Sequence, residues 1–270
     1  MPKPIVFIDS GIGGLPYCKD FMGKNPQEEI CFIADRQNFP YGPRSKDEVT
    51  NILISLTEKI LKKFEPKIIV LACNTATVSA LDILRRHFPD IPFVGTVPAI
   101  KPASNASKTG KIGLLGTERT IEDPYNQEII NNIGTGCEII AIAAPDLVEF
   151  IEHRLEKADG AEKEKIVKKY IDLFRSKNAD TLVLGCTHFL HLIDEFRRES
   201  SFVPSLMIFE SMDGITKRIE YLLDEKKLRA GEENAKPSHK LIITGNEKPD
   251  SHWIFHAQTP GFGLSLLCDI

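Results

Sequence analysis

The sequence predicts an α/β protein of two pseudo-symmetric, doubly wound lobes, with mostly parallel sheets and an active site in the cleft between them. Three observations carry that expectation. Short apolar runs without alternation are separated by segments of helical period, as in βα units that feed a parallel sheet. One run occurs twice: Val70-Leu71-Ala72-Cys73-Asn74-Thr75 aligns with Val183-Leu184-Gly185-Cys186-Thr187-His188, putting cysteine on cysteine 113 residues apart. The stretch 111–117 also resembles the opening strand, with Gly116-Thr117 where Asp9-Ser10 stand. The expected lobes are 1–98 and 99–206. Residues 207–270 are expected to return to the first, because Phe209-Glu210-Ser211 resembles the Asp-Ser of the opening turn.

The 270 residues are enough for one large domain or two smaller ones. With 34 basic and 38 acidic residues spread along the chain, the net charge of -4 argues against a nucleic-acid surface or a polybasic membrane patch. No stretch has the apolar length to span a bilayer. The N-terminus runs straight into a strand, which leaves no room for a secretory leader and predicts a cytoplasmic protein. Six cysteines without a CxxC pair fit a reduced compartment better than a disulfide scaffold.

Taken in order, residues 4–8 form a short apolar strand, and Asp9 to Leu15 (DSGIGGL) turn into a helix. Three glycines there let the backbone approach a ligand. A dinucleotide loop is the competing reading, with Asp35, after strand 30–34, as the ribose acid. Pro16 stands where that fingerprint needs glycine, and Asp9 would face the pyrophosphate. Residues 36–46 are a loop in which Tyr41-Gly42 either sets a phenol and bare backbone over the pocket or makes a plain turn. Val49, Ile52, Leu53, Leu56, Ile60 and Phe64 define a helix that Pro66 stops. Strand 68–72, a helix through Val78, Leu81 and Leu84, and strand 91–94 follow. The Ser/Lys/Gly-rich segment 104–111 marks a lobe boundary.

In the second lobe, strand 111–117 leads to a helix capped by Thr117 or Thr120. Strand 139–143 precedes a helix or lid at 147–152. Residues 158–165 are a charged surface stretch before a helix through Ile166, Tyr170, Leu173 and Phe174. Strand 182–184 is followed by a helix through Leu192, Ile193 and Phe196, then strand 206–209 and a helix through Ile215, Ile219 and Leu222. Residues 227–238 read as loop and 240–246 as strand. Residues 251–270 have no readable pattern.

Cysteine is commonly a buried structural residue, and Cys18, Cys31, Cys137 and Cys268 read that way. Cys73 and Cys186 differ. Each follows a strand directly and stands at an expected helix N-terminus, where the dipole and open N–H groups favour a thiolate. A phosphate-loop thiol wants arginine six residues on, but those positions hold Ser79 and Leu192. Zinc would have Cys186, His188 and His191, a spacing that matches no standard site. A cysteine hydrolase of a small amide or ester would use Cys186 with His188 and leave Cys73 without a role. A redox pair needs the sulfurs within bonding distance. Two acid/base thiols on opposite faces of one carbon are what stereoinversion requires. A non-catalytic small-molecule binding protein is the remaining class.

Asp9 to Leu15, Pro40-Tyr41-Gly42, Ala72 to Ala76 and Gly185 to Phe189 resemble the four signature blocks of the cofactor-independent aspartate/glutamate racemase family, in its glutamate-acting members. The likeness runs over essentially the whole chain. It implies interconversion of L- and D-glutamate without cofactor or metal, supply of D-glutamate for peptidoglycan, and a homodimer. It implies that Cys73 takes the α-proton from D-glutamate and Cys186 from L-glutamate, with Asp9 beside Cys73 and with His188 and Glu149 beside Cys186. Ser10, Pro40, Tyr41, Gly42, Asn74, Thr75, Thr187 and Thr117 or Thr120 would bind substrate. Aspartate-acting members carry Glu after the second Gly-Cys-Thr, where this chain has His188, so glutamate is the expected substrate. Leu190, Glu210 and Pro16-Tyr17-Cys18 depart from the family pattern without removing a catalytic group.

Overall fold

The computed structural model describes residues 3–122, 137–202, 205–231, 237–245, 250–257 and 262–264. The first three strands, β1 (Ile5–Asp9), β2 (Ile30–Ala34) and β3 (Ile68–Leu71), are buried along their whole length. A strand covered on both faces has no solvent side to carry polar residues, so it appears in the sequence as a run. β1 is central, pairing in parallel with β2 (Ile5 opposite Ile30) and with β3 (Ile5 opposite Ile68). Strand β4 (Phe93–Gly95) adds to β3. Between them run α1 (Leu15–Lys24), α2 (Lys46–Phe64) and α3 (Asn74–His87). α2 buries Val49, Leu53, Leu56 and Ile60. Its capping box pairs the Ser45 hydroxyl, which accepts from the Glu48 amide, with the Glu48 carboxylate, which accepts from the Ser45 amide. It ends on Glu65 in the left-handed region, φ 47°.

Residues 97–211 make a second sheet. A short helix, α4 (Ile100–Ala106), runs into the segment read as a boundary, and its Ile100 and Ala103 pack with Ile112, Leu114 and Val183. Then come β5 (Lys111–Gly116), α5 (Glu118–Glu122), β6 (Glu138–Ala143), α6 (Pro145–His153), α7 (Gly160–Ser176) and β7 (Thr181–Leu184). A 3₁₀ turn (Thr187–Leu192), α8 (Ile193–Ser200) and β8 (Met207–Phe209) complete it. The charged stretch at 158–165 is no mere surface loop: Asp159 accepts from the Glu162 amide at 2.8 Å in a capping box that starts α7. All pairings are parallel, in the order β6-β5-β7-β8.

β8 pairs with β7, so Phe209 belongs to the second sheet and the return begins at Met212, not at residue 207. The returning chain supplies α9 (Met212–Glu225), β9 (His239–Ile243), α10 (Ser251–Ala257) and β10 (Phe262–Leu264). β9 pairs in parallel with β2, completing a sheet of order β10-β9-β2-β1-β3-β4. Two compact units result: Met1–Thr96 with Met212–Ile270, and Val97–Ser211. Both sheets contain the same winding, β2-β1-β3-β4 in one and β6-β5-β7-β8 in the other. This is the pseudo-symmetric, parallel α/β architecture that the repeated strand segments predict. Asn246 and Cys268 lie outside the described residues. Among the described residues no helix is long and apolar enough to cross a membrane.

Candidate active site

Open parallel sheets bind ligands beyond the carboxyl ends of their strands, where the strand order reverses. In the first unit that point lies between β1 and β3. Asp9 ends β1, Cys73 stands two residues past β3, and the Ala72 amide donates to the Ile8 carbonyl at 2.8 Å, tying the two ends together. Cys73 is the N-cap of α3, in extended conformation (φ -144°, ψ 123°). Its thiol therefore sits where the aligned N–H groups of a helix favour negative charge. Asn74 and Thr75 are buried in the first turn of that helix. The Asp9 carboxylate accepts from the Gly11 amide at 3.1 Å and from the Ser10 hydroxyl at 3.4 Å.

Gly14 brings this turn against β3: a Cβ there would lie 2.6 Å from the Ala72 Cβ and 2.9 Å from the Ala72 carbonyl oxygen. Pro16 occupies the first turn of α1, where proline is tolerated. Asp35, the candidate ribose acid, is spent internally. It accepts from the Tyr41 hydroxyl (2.7 Å), Asn38 Nδ2 (3.0 Å) and the Thr244 hydroxyl (2.7 Å). Tyr41 is thus buried with its phenol on Asp35. Burial, reinforced by the Asp35 charge, pushes that phenol well above its ordinary pKa. Pro40 is exposed and Gly42 partly so, which leaves this loop's backbone to meet a ligand.

In the second unit the reversal lies between β5 and β7, and Cys186 stands two residues past β7. Cys186 is the N-cap here too (φ -131°, ψ 134°), but of a 3₁₀ turn and not of an α-helix, and His188 lies in the first residues of that turn. Its Nδ1 lies 3.7 Å from Cys186 Sγ, and its Nε2 is hydrogen-bonded to Glu152. Burial alone would lower the imidazole pKa. The hydrogen bonds to Cys186 and Glu152, with the charges of both, outweigh it and hold His188 well above the ordinary histidine value.

The carboxylate on His188 is Glu152, and the expected Glu149 is exposed on α6. Leu147, Phe150 and Ile151 set the apolar stripe of that helix, and the two glutamates, three residues apart, are neighbours on the face away from it. The 3₁₀ turn that carries His188 packs against α6 and buries Glu152. Thr117 caps α5: its hydroxyl accepts from the Thr120 amide (3.2 Å) and shares a 2.9 Å bond with the Thr120 hydroxyl. Thr187 is buried at the start of the 3₁₀ turn. Cys18, Cys31, Cys73, Cys137 and Cys186 are all reduced. Among the described residues no group of three or more His, Cys, Asp or Glu is arranged to hold a metal ion, so Cys186, His188 and His191 do not form a zinc site.

A model of the Asp/Glu/hydantoin racemase family matches residues 21–215. The chain belongs to that family. It is 31% identical over 258 residues to a glutamate racemase of Roseiflexus sp. (strain RS-1), covering 96% of this chain and 93% of the relative. Against a glutamate racemase of Sphingopyxis alaskensis it is 35% identical over 248 residues, covering 91% and 90%. Among solved structures it is similar to Escherichia coli glutamate racemase in complex with L-glutamate and the activator UDP-MurNAc-Ala, with TM-score 0.84, 28% identity and coverage of 98% and 97%. A Bacillus anthracis glutamate racemase isoform superposes with TM-score 0.81 at 30% identity, covering 99% and 97%.

Within this family member, sequence reasoning missed Glu152 and the Asp35–Thr244 contact. Only tertiary packing separates Glu152 from Glu149. Thr244 lies in a strand segment that carried no signal beyond its apolar residues.

Proposed function

We infer that the chain interconverts L- and D-glutamate, as an amino-acid racemase that works without a cofactor and supplies D-glutamate for peptidoglycan. The observation that carries this reading is the duplication itself: one cysteine in each unit, at corresponding ends of two sheets wound alike. Family membership and the consistent identity of the relatives support the substrate.

In the D-to-L direction, the Cys73 thiolate removes the α-proton, breaking the Cα–H bond and forming S–H. The Cys186 thiol then gives its proton to the opposite face of the same carbon. The thiolate left on Cys186 rests beside the His188 imidazolium, which Glu152 holds. In the L-to-D direction the roles exchange. Asp9 stands at the strand end beside Cys73 as its polar neighbour. Ser10, the Pro40–Gly42 backbone, Asn74, Thr75, Thr117, Thr120 and Thr187 are proposed to bind the carboxylates and ammonium. Donors aimed at the charge developing on the α-carboxylate are worth about 2.7–4 kcal/mol each when they act as oxyanion donors do. Those polar groups are proposed to be set for a second carboxylate at the distance glutamate gives it. Aspartate, one methylene shorter, leaves those polar groups unpaired. We further propose a cytoplasmic homodimer.

The test is isotopic. In deuterated water the inverted product should carry deuterium at the α-carbon while unreacted substrate stays protiated. Cys73→Ser and Cys186→Ser should each lower racemisation by about 10²–10⁴-fold with the circular dichroism unchanged. Early exchange into unreacted substrate would sink the two-base mechanism. One observation favours a second reading: Cys186, His188 and Glu152 also make the nucleophile, base and orienting acid of a cysteine hydrolase. That reading expects Cys73→Ser to keep full activity on a small amide or ester.

A further inference from the structure

The loop at 36–44 is fastened by a residue from the far end of the chain. Asp35 is buried at the end of β2, and its amide donates to the Asp9 carbonyl at 2.7 Å, so its position is fixed against the strand end that carries Asp9. A buried carboxylate must have its oxygens satisfied. Here neutral donors do so from both arms of one loop. The Tyr41 hydroxyl reaches Oδ2 at 2.7 Å, and Asn38 Nδ2 spans both oxygens at 3.1 and 3.0 Å. The remaining donor is the Thr244 hydroxyl, 2.7 Å from Oδ1.

Thr244 follows β9, the strand laid beside β2 by the returning chain, and its amide donates to the Ala34 carbonyl at 2.9 Å. A hydroxyl both donates and accepts. That of Thr244 gives its proton to Asp35 and accepts from the Gln37 amide at 3.1 Å. Gln37 opens the loop and Tyr41 stands at its turn, so one carboxylate and one hydroxyl hold both. Inside the loop, Arg44 Nε donates to the Asn38 carbonyl at 2.9 Å and the Arg44 amide to the Tyr41 carbonyl at 3.1 Å.

We propose that Asp35 and Thr244 are positioning residues for substrate binding: they hold the Pro40–Gly42 backbone in register with Asp9, which makes the C-terminal return strand part of the binding apparatus. This rests on the racemase reading above, in which that backbone meets glutamate. Neither residue touches substrate in this account. Both act through Tyr41 and Gln37.

Thr244→Val keeps the shape and removes the hydroxyl, leaving the Gln37 amide without its acceptor and Asp35 short of one donor. Ground-state and transition-state binding should fall together, so KM for glutamate should rise about tenfold with kcat within about twofold. Thr244→Ser should restore the wild-type KM. Amide hydrogen exchange, read on the same proteins without substrate, should show faster exchange at Gln37 and Arg44 in Thr244→Val and normal exchange in Thr244→Ser. Unchanged exchange in Thr244→Val would overturn the fastening. Faster exchange with KM and kcat both unchanged would overturn the role in binding. A kcat loss at constant KM would do the same. If the wild-type protein does not racemise glutamate, the functional reading fails and the exchange data decide the fastening alone. Should Thr244→Val not fold, Tyr41→Phe cuts the same network from the other end, and the same exchange criterion at Arg44 applies.

Discussion

His188 stands between a thiol and a carboxylate, and both neighbours stabilise its charged form. Its folded pKa lies above its unfolded value near 6.5, so its contribution to stability is fully present below that value. The contribution is lost as pH rises through the folded pKa. Glu152→Gln removes one of the two stabilising partners. It should destabilise the protein by about 1–3 kcal/mol in acid to neutral solution. The loss should shrink in alkali, as measured by urea unfolding across pH. On the proposed mechanism the imidazolium sits beside the sulfur that gives up its proton, so the alkaline limb of kcat/KM should move to lower pH in the same variant. An unmoved limb would separate His188 from the chemistry. At this scale the sequence points to candidate reactive residues and is silent on which neighbours pack against them. Cys73, Cys186 and His188 are legible because their chemistry attaches to residue type and to a strand end. Glu152 is not, because two glutamates lie side by side on the face of α6 away from its apolar stripe and only the packing of a distant turn chooses between them.

Each cysteine is delivered by a strand end that another backbone approaches closely, and two glycines permit the approach. A Cβ on Gly185 would come within 2.9 Å of Leu114 Cδ1 and 3.0 Å of the Leu115 carbonyl oxygen, directly before Cys186. On Gly14 it would meet the Ala72 Cβ at 2.6 Å, directly before Cys73. Overpacking of this kind costs about 1–3 kcal/mol. Gly185→Ala should lie nearer the low end, because the Leu114 side chain can move. Gly14→Ala should lie nearer the high end, because the contact with the Ala72 Cβ is shorter, at 2.6 Å, and that atom has no rotamer by which to move away. Thermal unfolding gives the order, and reversal of it would contradict the packing described. Strands β1, β2, β3 and β7 are legible because burial on both faces leaves an unbroken apolar run. The turn after Cys186 is not. Leu190, Leu192 and Phe196 are all buried, and their spacing does not distinguish a 3₁₀ turn followed by a helix from one continuous helix. α10 is short and follows no clear apolar period, so nothing in the sequence marks it. The start of α7 was written in the sequence as Asp159 and Glu162, a capping pair hidden among other charges.

Across the whole molecule, the first sheet is assembled from two separated stretches of chain. Beneath it, buried Lys67 pairs with buried Glu28 and donates to the Leu228 carbonyl at 2.8 Å, while Glu28 accepts from the Ala230 amide at 3.0 Å. Removing one member of a buried pair strands the other, so Lys67→Met should cost about 3–5 kcal/mol. Lys67→Met combined with Glu28→Leu should recover much of that loss, as urea unfolding would show. The division also has a consequence for how the protein is made. The second sheet closes as soon as Phe209 is available, from one continuous piece of chain. β2 must wait for β9, and its edge stays open while all of 97–211 is synthesised. Chains halted after residue 211 should therefore protect amides of β5 to β8 before those of β1 to β3 when pulse-labelled. The order of maturation then runs against the order of synthesis: the strand bearing Cys73 emerges early and gains its finished sheet late, so no nascent chain holds both thiols in completed scaffolds until nearly its whole length has been translated.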